Sequence, residues 1–272
     1  GVNPYKFGLI GSTDSHSGLS SAEESNFWGK MARDSTPETK TSASRRLNGS
    51  DGWNMSASGL AAVWATENTR EAIYAAFKRK EVYATTGPRL KVQLFGAWEF
   101  PEHAAQSENF AQIGYQYGVP MGGDLSRTKN PKSPSFILRA VKDPIDANLD
   151  RLQIIKGWIN AKGEQFEKVY NVAWSGARDL NASGKLPTVG NSVDVSSARY
   201  TNSIGEPELS AHWTDPDFNT NQPAFYYARV LQIPTPRNGL YDSLALGLTE
   251  PPQGVKTIQE RAYTSPIWYQ PQ

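Results

Sequence analysis

Tyr5, Lys6, Phe7, Gly8, Leu9 and Ile10 form a short, largely apolar run that ends in Gly11, Ser12 and Thr13, the pattern of a buried parallel strand finishing in a polar loop. Residues 17–57 follow with little periodicity. They are rich in Ser, Thr, Asn and Gly, hold a charged cluster from Lys40 to Arg46, and read as a long loop. A small apolar segment spans residues 59–64. Asn68 or Thr69 then caps a helix predicted from Arg70 to about Lys80, with Ile73, Ala76 and Phe77 on one face. Its last turn, Lys78, Arg79 and Lys80, suits the negative end of the helix dipole. Residues 82–86 read as a short strand punctuated by Gly87 and Pro88.

Beyond that point the period changes from helical to alternating. Leu90, Val92 and Leu94 interleave with Lys91 and Gln93, as in a half-buried strand. Strands are predicted again at residues 136–141, 152–158 and 166–174, the last two joined by a hairpin at residues 160–163, and later at 207–213, 225–233 and 262–269. No helix is predicted between them, so this part reads as an antiparallel β-sandwich. The chain thus divides near residue 90 into an α/β-style segment, 1–90, and an all-β segment, 91–272. The fold class expected for the whole is α+β.

Composition narrows the function. With 38% hydrophobic and 11% aromatic residues, the 272-residue chain is too apolar to stay disordered. Lys+Arg 28 against Asp+Glu 27 gives a net charge of +1, which removes the electrostatic footprint of a nucleic-acid or anionic-membrane binder. No apolar run approaches the roughly 18 to 20 residues a membrane span needs. The absence of Cys excludes disulfides, thiolate metal sites and cysteine nucleophiles, so a metal must be held by the three His and by carboxylates. Neither a phosphate loop nor a Gly-x-Ser-x-Gly elbow is present.

One constellation is chemically suggestive. In Gly11-Ser12-Thr13-Asp14-Ser15-His16, extended backbone would project Asp14 and His16 to the same side beyond the end of a strand, where α/β folds place their sites. A carboxylate and a neutral imidazole are ligands that Zn, Mn or Fe accept. The plain alternative is an Asx-turn at Asp14 beside a surface His16. A catalytic centre wants three or more protein ligands, and neither His103 nor His212 sits in a ligand pattern. The acidic stretch Asp143, Asp146, Asn148 and Asp150, and the turn Asp215-Pro216-Asp217, read as turns before they read as Ca²⁺ loops. Trp98, Trp158, Trp174 and Trp213 fall on or near predicted strands and suit either a core or a sugar platform.

The strings Phe7-Gly8-Leu9-Ile10-Gly11-Ser12-Thr13-Asp14-Ser15-His16, Gly59-Leu60-Ala61-Ala62-Val63-Trp64 and Tyr83-Ala84-Thr85-Thr86-Gly87-Pro88-Arg89, with Trp213-Thr214-Asp215-Pro216-Asp217-Phe218 and Tyr263-Thr264-Ser265-Pro266-Ile267-Trp268 further on, resemble the bacterial family called domain of unknown function 3604. Through it the chain resembles PHP-type (polymerase and histidinol phosphatase) metallohydrolases. The resemblance implies the last βα unit or units of a PHP-like (β/α)7 barrel followed by a β-sandwich. It implies two or three divalent transition metals, with Asp14 and His16 as metal ligands. The earlier His-x-His and related motifs of that family are not found. The chain therefore reads as the C-terminal portion of a metal-dependent hydrolase, a phosphoesterase, whose site is completed by an absent N-terminal segment or a symmetry mate covering the open barrel edge. Arg89 would clamp an anionic phosphoester substrate. Nucleic acid and membrane are not expected partners, and the expected location is periplasmic or secreted. The rival is a non-catalytic β-sandwich serving as an interaction or carbohydrate-binding module.

Overall fold

The computed structural model describes residues 3–40, 55–57, 59–126, 128, 132–249 and 255–271. Two antiparallel sheets face each other across one core. The smaller sheet contains β3 (Lys91–Ala97), β4 (Val119–Pro120), β5 (Ser135–Val141) and β8 (Glu208–Thr214), ordered β4-β3-β5-β8. The larger contains β1 (Leu60–Val63), β2 (Val82–Thr85), β6 (Leu149–Ile159), β7 (Gln165–Trp174), β9 (Ala224–Gln232), β12 (Arg261–Thr264) and β13 (Ile267–Tyr269). Its order is β1-β2-β12-β9-β6-β7, with β13 also on β9. A two-stranded pair, β10 (Thr235–Pro236) and β11 (Thr257–Ile258), stands apart. Alternation in β3 sends Val92 and Leu94 into the core, where they meet Leu152, Ile154, Tyr226, Ala228 and Ala262 of the larger sheet.

The expected βα unit is not there. Strands β1 and β2 are antiparallel neighbours, and β2 pairs antiparallel with β12, so residues 60–85 extend the large sheet; among the described residues no parallel βα unit or barrel is seen. Residues 5–10 form no strand. Gly8 and Gly11 lie so close to β1 and β2 that a Cβ on Gly11 would sit 2.6 Å from the Leu60 carbonyl oxygen. This segment is tied by single bonds, such as Leu9 N–H to Ser265 Oγ at 3.0 Å, instead of a ladder. Tyr5, Phe7 and Ile10 are 71%, 57% and 59% exposed, so the run is not the buried strand its apolar residues suggested.

Helix α2 (Arg70–Arg79) follows α1 (Pro37–Lys40) and matches its prediction: Thr69 caps it by accepting from Ala72 N–H, and Lys80 ends it at φ 61°. Its apolar face is only partly covered, for Ala76 is buried and Ile73 half-buried whereas Tyr74 and Phe77 are 61% and 42% exposed. Two unpredicted helices interrupt the β-rich part. In α3 (Phe110–Tyr117), Gly114 lets the helix close onto the smaller sheet, since a Cβ there would lie 2.4 Å from the Phe95 ring; Phe110 joins Phe95 and Ile137 in a second core. In α4 (Asn238–Ala245), Asn238 and Asp242 are held by Glu24 and Lys40, so tertiary bonds override an Asn-Gly turn signal.

One buried ion pair ties the sheets together. Lys156 Nζ of β6 lies 2.6 Å from Asp215 Oδ2, just after β8, and donates to the Asp217 carbonyl at 2.8 Å. Tyr226 of β9 donates to the same Asp215 oxygen at 2.7 Å, while Lys168 and Tyr170 of β7 take Asp217. The Asp-Pro-Asp turn therefore serves lysines and tyrosines and leaves no cation loop. Breaking such a pair strands a buried charge. Lys156→Met should lower the unfolding free energy by about 3–5 kcal/mol, and adding Asp215→Asn should recover much of it. Urea midpoints of the two variants check this; a single variant indistinguishable from the parent would contradict it.

Candidate functional site

The Asp14–His16 turn lies on the loop that follows the extended segment. Asp14 sits at φ 53°, a left-handed conformation that Asp tolerates better than most residues, so the extended projection expected for the pair does not hold. Asp14 N–H contacts Ser12 Oγ at 3.2 Å and Ser15 N–H contacts Thr13 Oγ1 at 3.4 Å, which shape the turn. His16 is nonetheless brought back onto Asp14, its Nδ1 lying 3.0 Å from the Asp14 carbonyl oxygen. A carbonyl only accepts, so Nδ1 carries the proton and Nε2 is left as the basic nitrogen. Lys30 braces the loop from beneath: its Nζ donates to the Thr13 carbonyl at 2.5 Å and its own carbonyl accepts from His16 N–H at 2.7 Å. Burial holds the Lys30 ammonium below the usual lysine range, opposed by Asp14 and then by Glu24 and Asp34.

Both side chains are exposed, and their donor chemistry fits a divalent transition metal as part of a ligand set. They do not complete one. Among the described residues no group of three or more His, Asp or Glu could hold a metal ion. His103 is an exposed loop residue at φ 60°, and His212 on β8 has Nε2 at 2.8 Å from Ser135 Oγ. The acidic stretch that leads into β6 disperses its carboxylates. Asp143 accepts from the backbone of Arg89 and Ile145, Asp146 from Tyr200, and Asp150 from Arg178 and Gln259. Arg45 and Arg46 lie outside the described residues.

Arg89 belongs elsewhere. It is exposed and lines a cleft of about 220 Å³ that Asp14 and His16 do not line. Glu260, 5% exposed, lines the same cleft and takes a hydrogen bond from the Thr86 hydroxyl; Tyr200 and Tyr241 line it too. These residues come from positions far apart in sequence and belong to no local motif, which is why the sequence singled out only Arg89. The local field is negative. Burial first, then the nearby Asp146, raises the Tyr200 hydroxyl above the usual tyrosine range. Burial pushes the Glu260 carboxyl up to about 8; the Thr86 bond opposes this, Glu24 and Asp146 add to it, and Arg261 opposes it.

Fold and site together define a mixed α+β protein, built mostly of antiparallel sheet, with an exposed Asp–His turn and an acidic cleft beside the end of β2. The chain belongs to the family described as protein of unknown function (DUF3604), which matches residues 1–271. No curated protein matches it.

Glu260 makes stability pH-dependent in a calculable direction. Its folded value near 8 lies above the ordinary 4.5, so between these values the folded chain keeps a proton that the unfolded chain releases. This contribution is intact below pH 4.5 and is lost as pH rises toward 8. Glu260→Gln should flatten that decline, as read from urea midpoints across the window. A variant that declines as steeply as the parent would contradict the assignment.

Proposed function

We propose that this chain supplies Asp14 and His16 as two ligands to the metal centre of a PHP-like hydrolase acting on phosphoesters. The observation that carries the reading is the Nδ1–H bond of His16 to the Asp14 carbonyl, which fixes the tautomer and leaves Nε2 as the basic nitrogen on an exposed residue two positions from the exposed Asp14. Lys30 holds the turn in place, and the strained backbone at Asp14 is of the kind that collects at functional sites. Zn, Mn or Fe bound there would lower the pKa of a coordinated water and offset charge on a phosphoryl oxygen. Two ligands fall short of a centre holding two or three such ions, so the remainder come from a companion polypeptide: an N-terminal portion of the same protein or a second copy. The uncovered Tyr74 and Phe77 face of α2 and the exposed Tyr5 and Phe7 accord with such a companion.

A second reading has its own observation. A groove of about 700 Å³ on the larger sheet is walled by Tyr5, Trp158, Phe166, Phe225 and Trp268, with Trp158 and Phe166 stacked at 5.4 Å. Such rings suit a sugar platform. This reading makes the chain a non-catalytic carbohydrate-binding module.

The two readings separate under mutation. In the assembled protein His16→Ala and Asp14→Ala should each lower bound transition metal, measured by elemental mass spectrometry, and cut hydrolysis of p-nitrophenyl phosphate by roughly a hundredfold or more, with the melting temperature unchanged. Unchanged metal content would overturn the hydrolase reading. Loss of retention on immobilised oligosaccharide in Phe166→Ala, with His16→Ala silent, would favour the module.

A further inference from the structure

The cleft that holds Arg89 and Glu260 has no part in the metal reading, and its polar groups are not equivalent. Glu24 commits both oxygens, one to Ala57 N–H at 2.7 Å and the other to the Asn238 backbone and side-chain amides at 2.7 and 2.9 Å. Asp143 likewise commits both, to the N–H groups of Arg89 and Ile145 at 2.7 and 3.2 Å. Glu23, exposed at the rim, accepts from Ala22 N–H on Oε2 alone, and two further carboxyl groups keep one oxygen each. Asp146 accepts from Tyr200 on Oδ1 alone, and Glu260 accepts from Thr86 on Oε2 alone. Oε1 of Glu260 has no partner among the described residues, although the residue is only 5% exposed and lines the cleft. Among the described residues no cationic side chain forms an ion pair with it, and a buried carboxyl without a paired cation is costly. Arg89 supplies the opposite polarity. Its backbone is pinned by Asp143, it is exposed on the cleft wall, and no described group pairs with its guanidinium.

We propose that this cleft binds a small zwitterion, its primary ammonium group taken by Glu260 Oε1 and Asp146 Oδ2 and its acid group by the Arg89 guanidinium. A primary ammonium carries three N–H donors, enough for both carboxyl oxygens, and the rings of Tyr200 and Tyr241 on the same wall suit a cation. The planar fork of Arg89 matches a carboxylate or a phosphate equally well. A volume of about 220 Å³ limits the occupant to a compact molecule of amino-acid size. A positive charge also satisfies the field described above. Glu24, Asp146 and Arg261 act on Glu260 electrostatically, Thr86 bonds it, and Glu23, Asp143, Arg89 and the two tyrosines complete the cleft around it. An ammonium beside Glu260 favours the ionised carboxylate, so binding near neutral pH releases a proton.

Isothermal titration calorimetry of the chain at about pH 7 tests this. The probes are glycine, β-alanine, γ-aminobutyrate and O-phosphoethanolamine, set against ethylamine and propanoate, which each carry one charge. At least one zwitterion should bind about tenfold or more tightly than either single-charge probe, and Arg89→Gln and Glu260→Gln should each weaken it by a similar factor. Repeating the titration in two buffers of different ionisation heat should show proton release by the parent and none by Glu260→Gln. Preference for O-phosphoethanolamine would identify the acid group as phosphate, and preference for an amino carboxylate would identify it as carboxylate; both support the site. Zwitterions no tighter than ethylamine or propanoate, or binding that Arg89→Gln leaves unchanged, would overturn it. Arg89 is exposed, so its variant keeps the test valid even if Glu260→Gln destabilises the fold.

Discussion

The structure depends above all on the antiparallel pairing of β2 with β12. Its register sets Thr85 opposite Ala262, Ala84 opposite Tyr263 and Tyr83 opposite Thr264, and β12 in turn pairs with β9 at the centre of the larger sheet. The pairing continues past the strand ends, where Thr86 N–H donates to the Arg261 carbonyl and Arg261 N–H to Thr86 Oγ1, both at 2.9 Å. The Gly87–Arg89 loop and Glu260 are thereby fixed beside each other. At the other end Ser265 Oγ donates to the Val82 carbonyl at 2.6 Å and accepts from Leu9 N–H, which ties in the segment leading to Asp14. A slip of one residue would turn every side chain of β2 to the opposite face and dismantle the cleft.

Both candidate sites are therefore extensions of one sheet. The Asp14–His16 turn hangs from its N-terminal edge and is braced by Lys30, while the Arg89–Glu260 cleft forms where β2 and β12 run out. Glu24 connects them. Its carboxylate is anchored by Ala57 and Asn238, and its charge acts on both Lys30 and Glu260. Helix α1 is also tied to α4 by Lys40 and Asp242, a nearly buried ion pair at 2.6 Å.

Much of this was legible in the sequence, for identifiable reasons. Strands β3, β5, β6, β7 and β9 announce themselves by alternation or by apolar runs, and α2 by its Thr cap and basic last turn. Helices α3 and α4 did not, because Gly114 and the Asn238-Gly239 pair are poor helix signals whose purpose is contact: the first admits the Phe95 ring and the second meets Glu24. The parallel βα reading of residues 1–90 failed because an apolar run followed by a helix does not say whether the next strand returns parallel or antiparallel. Asp14 and His16 were visible because they sit two residues apart. Glu260, Asp146, Tyr200 and Tyr241 were invisible as a group, since only the β2–β12 register and the turn at Asp146 bring them to Arg89.

Amide hydrogen exchange across the larger sheet is the most direct test of that register. If β2 and β12 belong to the cooperative sheet that positions both sites, the amides of residues 82–85 and 261–264 should be protected to within about tenfold of those in β9. Exchange in β2 on the order of a thousandfold or more faster than in β9 would mean that residues 60–89 open independently, and would contradict a single sheet carrying both sites.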